Sequence, residues 1–176
     1  MAPGAYRISV ADLRRRLGQR RRVHVDHDPG PLAVGTSRTA GAAVTGTLVI
    51  ESIQGGVSVS GRLRTRWRGE CRRCLGEVEG EADIEVHEIY QDHPPPDSDI
   101  YELWSEDQLD LAPMIRESVL LALPLGPLCR AECQGPDPER FPAGVEGQGP
   151  GAGTATGARA PDLRWAALGQ LRFDDD

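Results

Sequence analysis

The 176-residue sequence predicts an α+β fold: a small antiparallel β-sheet, with hairpins around 44–69 and 57–88, packed by one main helix at about 110–123. Three observations carry this reading. Apolar and polar residues alternate through 57–68 and 77–86, the period of half-buried strands. Leu111, Met114, Ile115, Val119, Ala122 and Leu123 recur at helical spacing, and Pro124 stops the run. Gly and Pro number 21 and 14 while aromatics make up only 5% of the chain, which favours a modest core with long irregular segments over a deep enzymatic pocket. The expected organisation is one α+β domain over 1–141 with a basic N-terminal segment, a flexible linker over 142–161 and a short docking segment over 162–173.

Taken in order, Tyr6–Val10 has strand character, and Asp12 is placed to cap a helical turn through Leu13–Leu17. Residues 26–41 carry many breakers and read as a loop. Strand pattern begins at Val44, and Gln54-Gly55-Gly56 marks a hairpin turn. Beyond it, Val57, Val59, Leu63 and Trp67 alternate with Arg62, Arg64, Arg66 and Arg68. Val78, Ala82, Ile84 and Val86 alternate in the same way with Glu77, Glu79, Glu81, Asp83 and Glu85. With Arg72-Arg73 as the tip and Cys71 opposite Cys74, Arg68 faces Glu77, Arg66 faces Glu79, Arg64 faces Glu81 and Arg62 faces Asp83. Each such pair adds about 0.2–1 kcal/mol, and the apolar face selects the same register, with Trp67 on Val78 and Leu63 on Ala82. The prolines of Gln91–Ile100 end the sheet, because they remove ladder donors. Asp110 is a fitting N-cap for the helix, whose first turn tolerates Pro113. Residues 142–161 hold too little apolar surface to order themselves. The amphipathic stretch after them offers Trp165, Leu168 and Leu171 for docking onto the domain or onto a partner.

The net charge of −7 conceals two unlike halves. Residues 1–74 hold 14 Arg and 5 acids, whereas residues 75–176 hold 6 Arg and 22 acids. Such a chain folds its halves together or shows opposite charges to different partners. Arg14, Arg15, Arg16, Arg20, Arg21 and Arg22, with Arg72 and Arg73 at the hairpin tip, are the candidate contacts for RNA phosphates; the competing reading is a solvated basic face. The Arg62–Arg68 stripe is expected to be neutralised by its acidic ladder. His87 falls on the charged face of an expected strand while His24, His27 and His93 are expected in loops, and all four read as surface residues without metal spacing. No run reaches the ~18–20 apolar residues of a membrane span, and the N-terminus lacks a secretory pattern, so a cytoplasmic protein without a membrane partner is expected. No nucleophile–base pairing or phosphate-cradling motif is present, which points away from an enzyme and from a small-molecule substrate.

Cys71-x-x-Cys74 and Cys129-x-x-x-Cys133 are the chain's four cysteines. Two close pairs without a signal peptide read as metal ligands before they read as disulfides, and together they supply the four thiolates of a closed zinc site. Reduced structural thiols and a redox pair are the competing readings; a redox pair normally opens a helix rather than closing a hairpin.

Cys71-Arg-Arg-Cys74-Leu closing a basic/acidic hairpin, then Asp110–Cys133 with its Glu117 and Leu-Pro, then Asp162-Leu-Arg-Trp165, resembles the YceD-like large ribosomal RNA subunit accumulation proteins, over about residues 5–172. The resemblance implies a bacterial, non-enzymatic ribosome biogenesis factor needed for normal 23S rRNA levels. Its gene would often neighbour that of ribosomal protein L32. The implied partners are 23S rRNA or a pre-50S particle, or a ribosomal protein such as L32. In many relatives the last block continues with two more cysteines, where this chain has Asp137 and Arg140. A zinc site confined to that block is therefore lost here, whereas one shared by Cys71, Cys74, Cys129 and Cys133 survives. The alternative, of another class, is a zinc-ribbon-like adaptor whose acidic half binds a basic protein without touching RNA.

Overall fold

The computed structural model describes residues 6–140 apart from 42, 104, 106 and 107. The expected linker over 142–161 and the stretch carrying Trp165, Leu168 and Leu171 lie outside the described residues. In chain order the elements are β1 (Arg7–Ser9), α1 (Ala11–Arg14), β2 (Arg20–His27), β3 (Ala33–Val34), β4 (Ser37–Thr39), β5 (Val44–Ile53), β6 (Gly56–Glu70), β7 (Glu77–Gln91), β8 (Tyr101–Glu102), β9 (Gln108–Asp110) and α2 (Ala112–Ala122). The described chain is mostly strand with two helices, compatible with the α+β class but with a larger sheet than expected.

β6 is the spine of a seven-stranded sheet. β7 lies antiparallel along one edge; β5 and then β4 share the other. β2 extends the sheet beyond β5, and β8 joins β7 in parallel at Tyr90 and Gln91. β1 and β9 form a separate two-stranded ribbon. The turn after Ile53 comes out as expected, with Ile53 paired to Gly56 and Gly55 at φ 79°.

The β6–β7 register differs from expectation by two residues. Arg68 faces Glu79, Arg66 faces Glu81, Arg64 faces Asp83 and Arg62 faces Glu85. Cys71 to Gly76 is a wider loop than a two-residue turn: the Cys71 N–H donates to Gly76 O (2.8 Å), the Leu75 N–H donates to Cys71 O (2.9 Å), and Leu75 takes a left-handed φ of 61°. A shift of two preserves the faces, because side chains alternate with period two. It also places Trp67 over Gly80, where a Cβ would come within 2.8 Å of the indole.

Three further expectations are corrected. The first helix spans Ala11–Arg14 and not Leu13–Leu17; Val10 is its N-cap, so Asp12 sits inside the first turn. Residues 26–41 are not one loop. β2 runs to His27, and β3 and β4 form a small hairpin through Gly35, at φ 55°. That hairpin is closed at its base by the Leu32 N–H donating to Thr39 Oγ1 (3.1 Å), and it is held to the rest of the fold by buried Ser37 Oγ donating to Pro124 O (2.6 Å). His24 and His27 accordingly lie on a strand, His27 half-buried against the Tyr6 ring at 5.1 Å.

The core forms between the inner sheet face and α2. Val44, Leu48, Ile50, Val57, Val59, Leu63, Ile84 and Val86 meet Leu111, Met114, Ile115 and Val119 there. Asp110 acts one place before the N-cap residue Leu111: its Oδ1 accepts from the backbone N–H of Ala112 (3.0 Å) and of Tyr6 (3.1 Å). One carboxylate thus starts α2 and joins it to Tyr6, just before β1. Tyr90 is 1% exposed, stacks on Tyr101, and its hydroxyl has no hydrogen-bond partner among the described residues. Tyr90→Phe removes that unsatisfied group and is expected to raise the unfolding free energy by about 1 kcal/mol in urea titrations. Destabilisation instead would show that the hydroxyl has a partner.

Candidate metal centre and the arginine surfaces

Two loops build the centre. The first is Cys71–Gly76, at the end of the β6–β7 hairpin. The second follows α2, where Pro124 and Pro127 prevent the helix from continuing toward Cys129. The loops are joined by backbone and side chain. The Arg72 N–H donates to Pro127 O (3.0 Å), and Arg73 Nη1 donates to Cys133 O (2.8 Å) and Ala131 O (3.2 Å). Gly126 leaves room for the Arg72 stem, 3.3 Å from where a Cβ would stand.

This clasp brings Cys71, Cys74, Cys129 and Cys133 together, with all four Sγ atoms within 4.8 Å of one another. Cys71 to Cys133 and Cys74 to Cys129 are both 3.8 Å apart. A tetrahedral ion with M–S near about 2.3 Å requires sulfur–sulfur edges of about 3.8 Å. A disulfide needs about 2.05 Å, so these are four separate thiols. Cys71 and Cys133 are buried, Cys74 is half-buried and Cys129 exposed. Backbone N–H groups of Cys74, Cys129 and Arg73 lower the Cys71 thiol to about 6. Hydrogen bonding to Cys133, then burial, pushes Cys129 up to about 12. One thiolate is thus stabilised by the loop backbone while a neighbouring thiol keeps its proton. The donor set fits a soft divalent ion, and four protein ligands leave no open position for catalysis.

The arginines divide by partner. Arg14 binds Asp92 with both guanidinium nitrogens, at 3.0 and 2.5 Å. Arg20 pairs with Glu51 (2.9 Å), Arg21 donates to Ser9 O, and Arg15 lies 3.6 Å from Asp12 on the exposed end of α1. Arg16, Arg22, Arg72 and Arg73 are exposed. On β6, Arg64 pairs with Asp83 (2.7 Å) and reaches Glu81 at 3.9 Å. Among the described residues no such pair forms at Arg62, Arg66 or Arg68, so the expected neutralising ladder is only partly made. Arg38 of β4, directly across from Arg68, was not singled out from the sequence. It lies in the stretch read as a loop, and only the β4–β6 pairing reveals its place.

The Arg14 hydrogen bonds hold the Asp92 carboxyl below its ordinary range. A depressed carboxyl contributes stability above its ordinary pKa and loses it as pH falls through the folded value. Arg14→Gln is expected to cost under about 1 kcal/mol at pH 7 for this partly exposed pair. The difference should vanish once pH falls through the lowered Asp92 value, as read from urea midpoints at neutral pH and in acid. A difference that persists in acid would assign Arg14 a packing role.

Among the described residues no helix is long and apolar enough to cross a membrane. Residues 59–172 match the family model described as large ribosomal RNA subunit accumulation protein YceD. Uncharacterized proteins of Mycobacterium bovis and Mycobacterium tuberculosis are 33% identical over 143 residues, covering 75% of this chain and 67% of theirs. An uncharacterized protein of Mycobacterium leprae is 28% identical over 101 residues, covering 54% of this chain and 46% of its own. No solved structure matches the chain. With the two cysteine loops closed on one another and most of the chain inside the matched region, this protein belongs to the YceD family of large ribosomal RNA subunit accumulation proteins.

Proposed function

We propose that this protein is a non-enzymatic factor of large-subunit biogenesis that supports 23S rRNA accumulation by binding rRNA or a pre-50S particle in the cytoplasm. The family description supports this pathway. The observation that carries the manner of action is the closed four-thiol cluster, which suits a structural zinc and leaves no position for turnover. Cys71, Cys74, Cys129 and Cys133 hold the ion, which ties the β6–β7 hairpin to the segment after α2. Arg15, Arg16, Arg22 and Arg72 are the members of the expected RNA set whose guanidinium groups are most available for phosphates. Arg14, Arg20, Arg21 and Arg73 serve the fold first through the contacts described above. The segment of Trp165, Leu168 and Leu171 adds a docking element, and no small-molecule substrate is involved.

The test is the 23S to 16S rRNA ratio in cells depleted of the protein. A selective fall in 23S, restored by the wild-type gene, is the expected result. An unchanged ratio would overturn the reading for this member of the family. The adaptor reading draws support from a different feature, the acidic row along β7.

A further inference from the structure

We infer that the free edge of β7 is a docking site for an extended, basic segment of a partner protein, which adds to the sheet as a further antiparallel or parallel strand. β7 is fifteen residues long, yet β8 covers its outer edge only at Tyr90 and Gln91. Among the described residues no strand pairs with that edge from Glu77 to Ile89.

The ladder's phase shows which groups face outward. The Cys71 N–H to Gly76 O bond closes the hairpin, so 71 and 76 form a hydrogen-bonded pair. Alternation along an antiparallel ladder then turns the backbone N–H and C=O of Glu77, Glu79, Glu81, Asp83 and Glu85 away from β6. The Leu103 N–H donating to Gln91 O (2.9 Å) confirms this phase at the far end, where the edge is already used for pairing.

These same residues are the acids of the row, and their exposed side chains share the outer face. On the inner face Ala82, Ile84 and Val86 are buried, so the edge and the outer face are what a partner meets. The row is only partly neutralised from the β6 side. Arg64 takes Asp83 and Glu81, His87 lies 3.3 Å from Glu85, and Glu77 and Glu79 make no ion pair among the described residues.

Charge selects the occupant. Unpaired edges are templates for strand addition, and rows of like charge guard them against copies of themselves. A second copy pairing edge to edge would set carboxylate against carboxylate, which destabilises directly opposed positions. A strand with Arg or Lys at alternate positions would repeat on the outer side what β6 does on the inner side. Main-chain bonds would supply affinity and the alternate charges specificity. The inference is independent of RNA contact.

The test uses the full-length, metal-loaded chain and a fluorescent nonapeptide of alternating Arg and Val, read by anisotropy. Binding in the micromolar range is expected. Two N-methylated versions, one for each phase of alternate residues, keep the charge and block one set of N–H donors each. One phase should bind at least about tenfold more weakly while the other is tolerated. Glu79→Gln/Glu81→Gln/Glu85→Gln should weaken the parent peptide by at least about tenfold. Absence of binding would overturn the inference. So would equal binding of both N-methylated versions, which would reduce the contact to charge alone. A triple variant that bound the peptide unchanged would remove the site from this edge. One that gained affinity only for a poly-uridine RNA would identify the row as a screen beside the arginines. If the triple variant does not fold, the N-methylated pair still decides the matter on the unaltered protein.

Discussion

Cys71→Ser is expected to abolish zinc binding and to lower the melting temperature by ten degrees or more, on the order of the loss of a structural site. Cys71 is fully buried, its thiolate is held by three backbone donors, and it begins the loop that carries Cys74. Serine would leave a poorly coordinating hydroxyl in a place shaped for sulfur. Structural zinc contributes roughly 10–16 kcal/mol of apparent binding energy in small finger peptides at neutral pH. Here a sheet core shares the work, so partial unfolding at the hairpin end is expected rather than loss of the whole fold. Untagged wild-type protein should carry about one zinc per chain, and chelation should reproduce the variant's melting curve. Cys129→Ser, at an exposed ligand, should weaken binding with a smaller loss of stability. Because Cys129 keeps its proton well above neutrality in the metal-free cluster, zinc affinity should fall as pH falls. Wild-type protein with negligible zinc would sink the metal assignment.

Gly61→Ala is expected to cost about 3 kcal/mol or more, one of the large penalties open to a single methyl group. Gly61 has φ 150°, a conformation side chains rarely adopt, and a Cβ there would lie 2.3 Å from Thr47 O. Its neighbour in the ladder is equally tight: a Cβ on Gly46 would lie 2.2 Å from Arg62 O. The opposing atoms are backbone, so the methyl cannot be accommodated by a rotamer change and β5 must move from β6. Those strands carry Leu48, Ile50, Val59 and Leu63, the centre of the core, so the strain spreads into packing. Urea denaturation of Gly61→Ala beside Ser60→Ala, a control expected within about 0.5–1 kcal/mol of wild type, makes the measurement. Equal midpoints for the two would show that the β5–β6 contact is looser at Gly61 than the structure has it.

Much of the site was legible because its signals are local. Cysteine spacing picked out the four thiols that cluster, since a hairpin tip and a short loop each splay two of them. Their convergence across more than fifty residues was an expectation that needed Arg72 and Arg73 to be realised: the arginines proposed for RNA are also what clasp the two loops. The Arg62–Arg68 stripe shows the opposite case. Its alternation was plain, but whether a guanidinium reaches a carboxylate depends on register and side-chain torsions, and among the described residues only Arg64 of the stripe does so within 4 Å.

What the amino-acid sequence determined by itself is whatever follows from stereochemical period and residue type. It set the two faces of β6 and β7, the turn at Gln54-Gly55, a helix that Pro124 ends, the four thiols and the family resemblance. The tertiary structure alone decided the β6–β7 register, the β3–β4 hairpin, the β1–β9 ribbon and the stretch of β7 edge left unpaired among the described residues. The physical reason is that a period of two is blind to a shift of two. The left-handed turn at Leu75 chose the register through the shape of a loop. The ribbon and the small hairpin are too short to hold without Asp110 and Ser37, whose partners Tyr6 and Pro124 lie far away in the sequence.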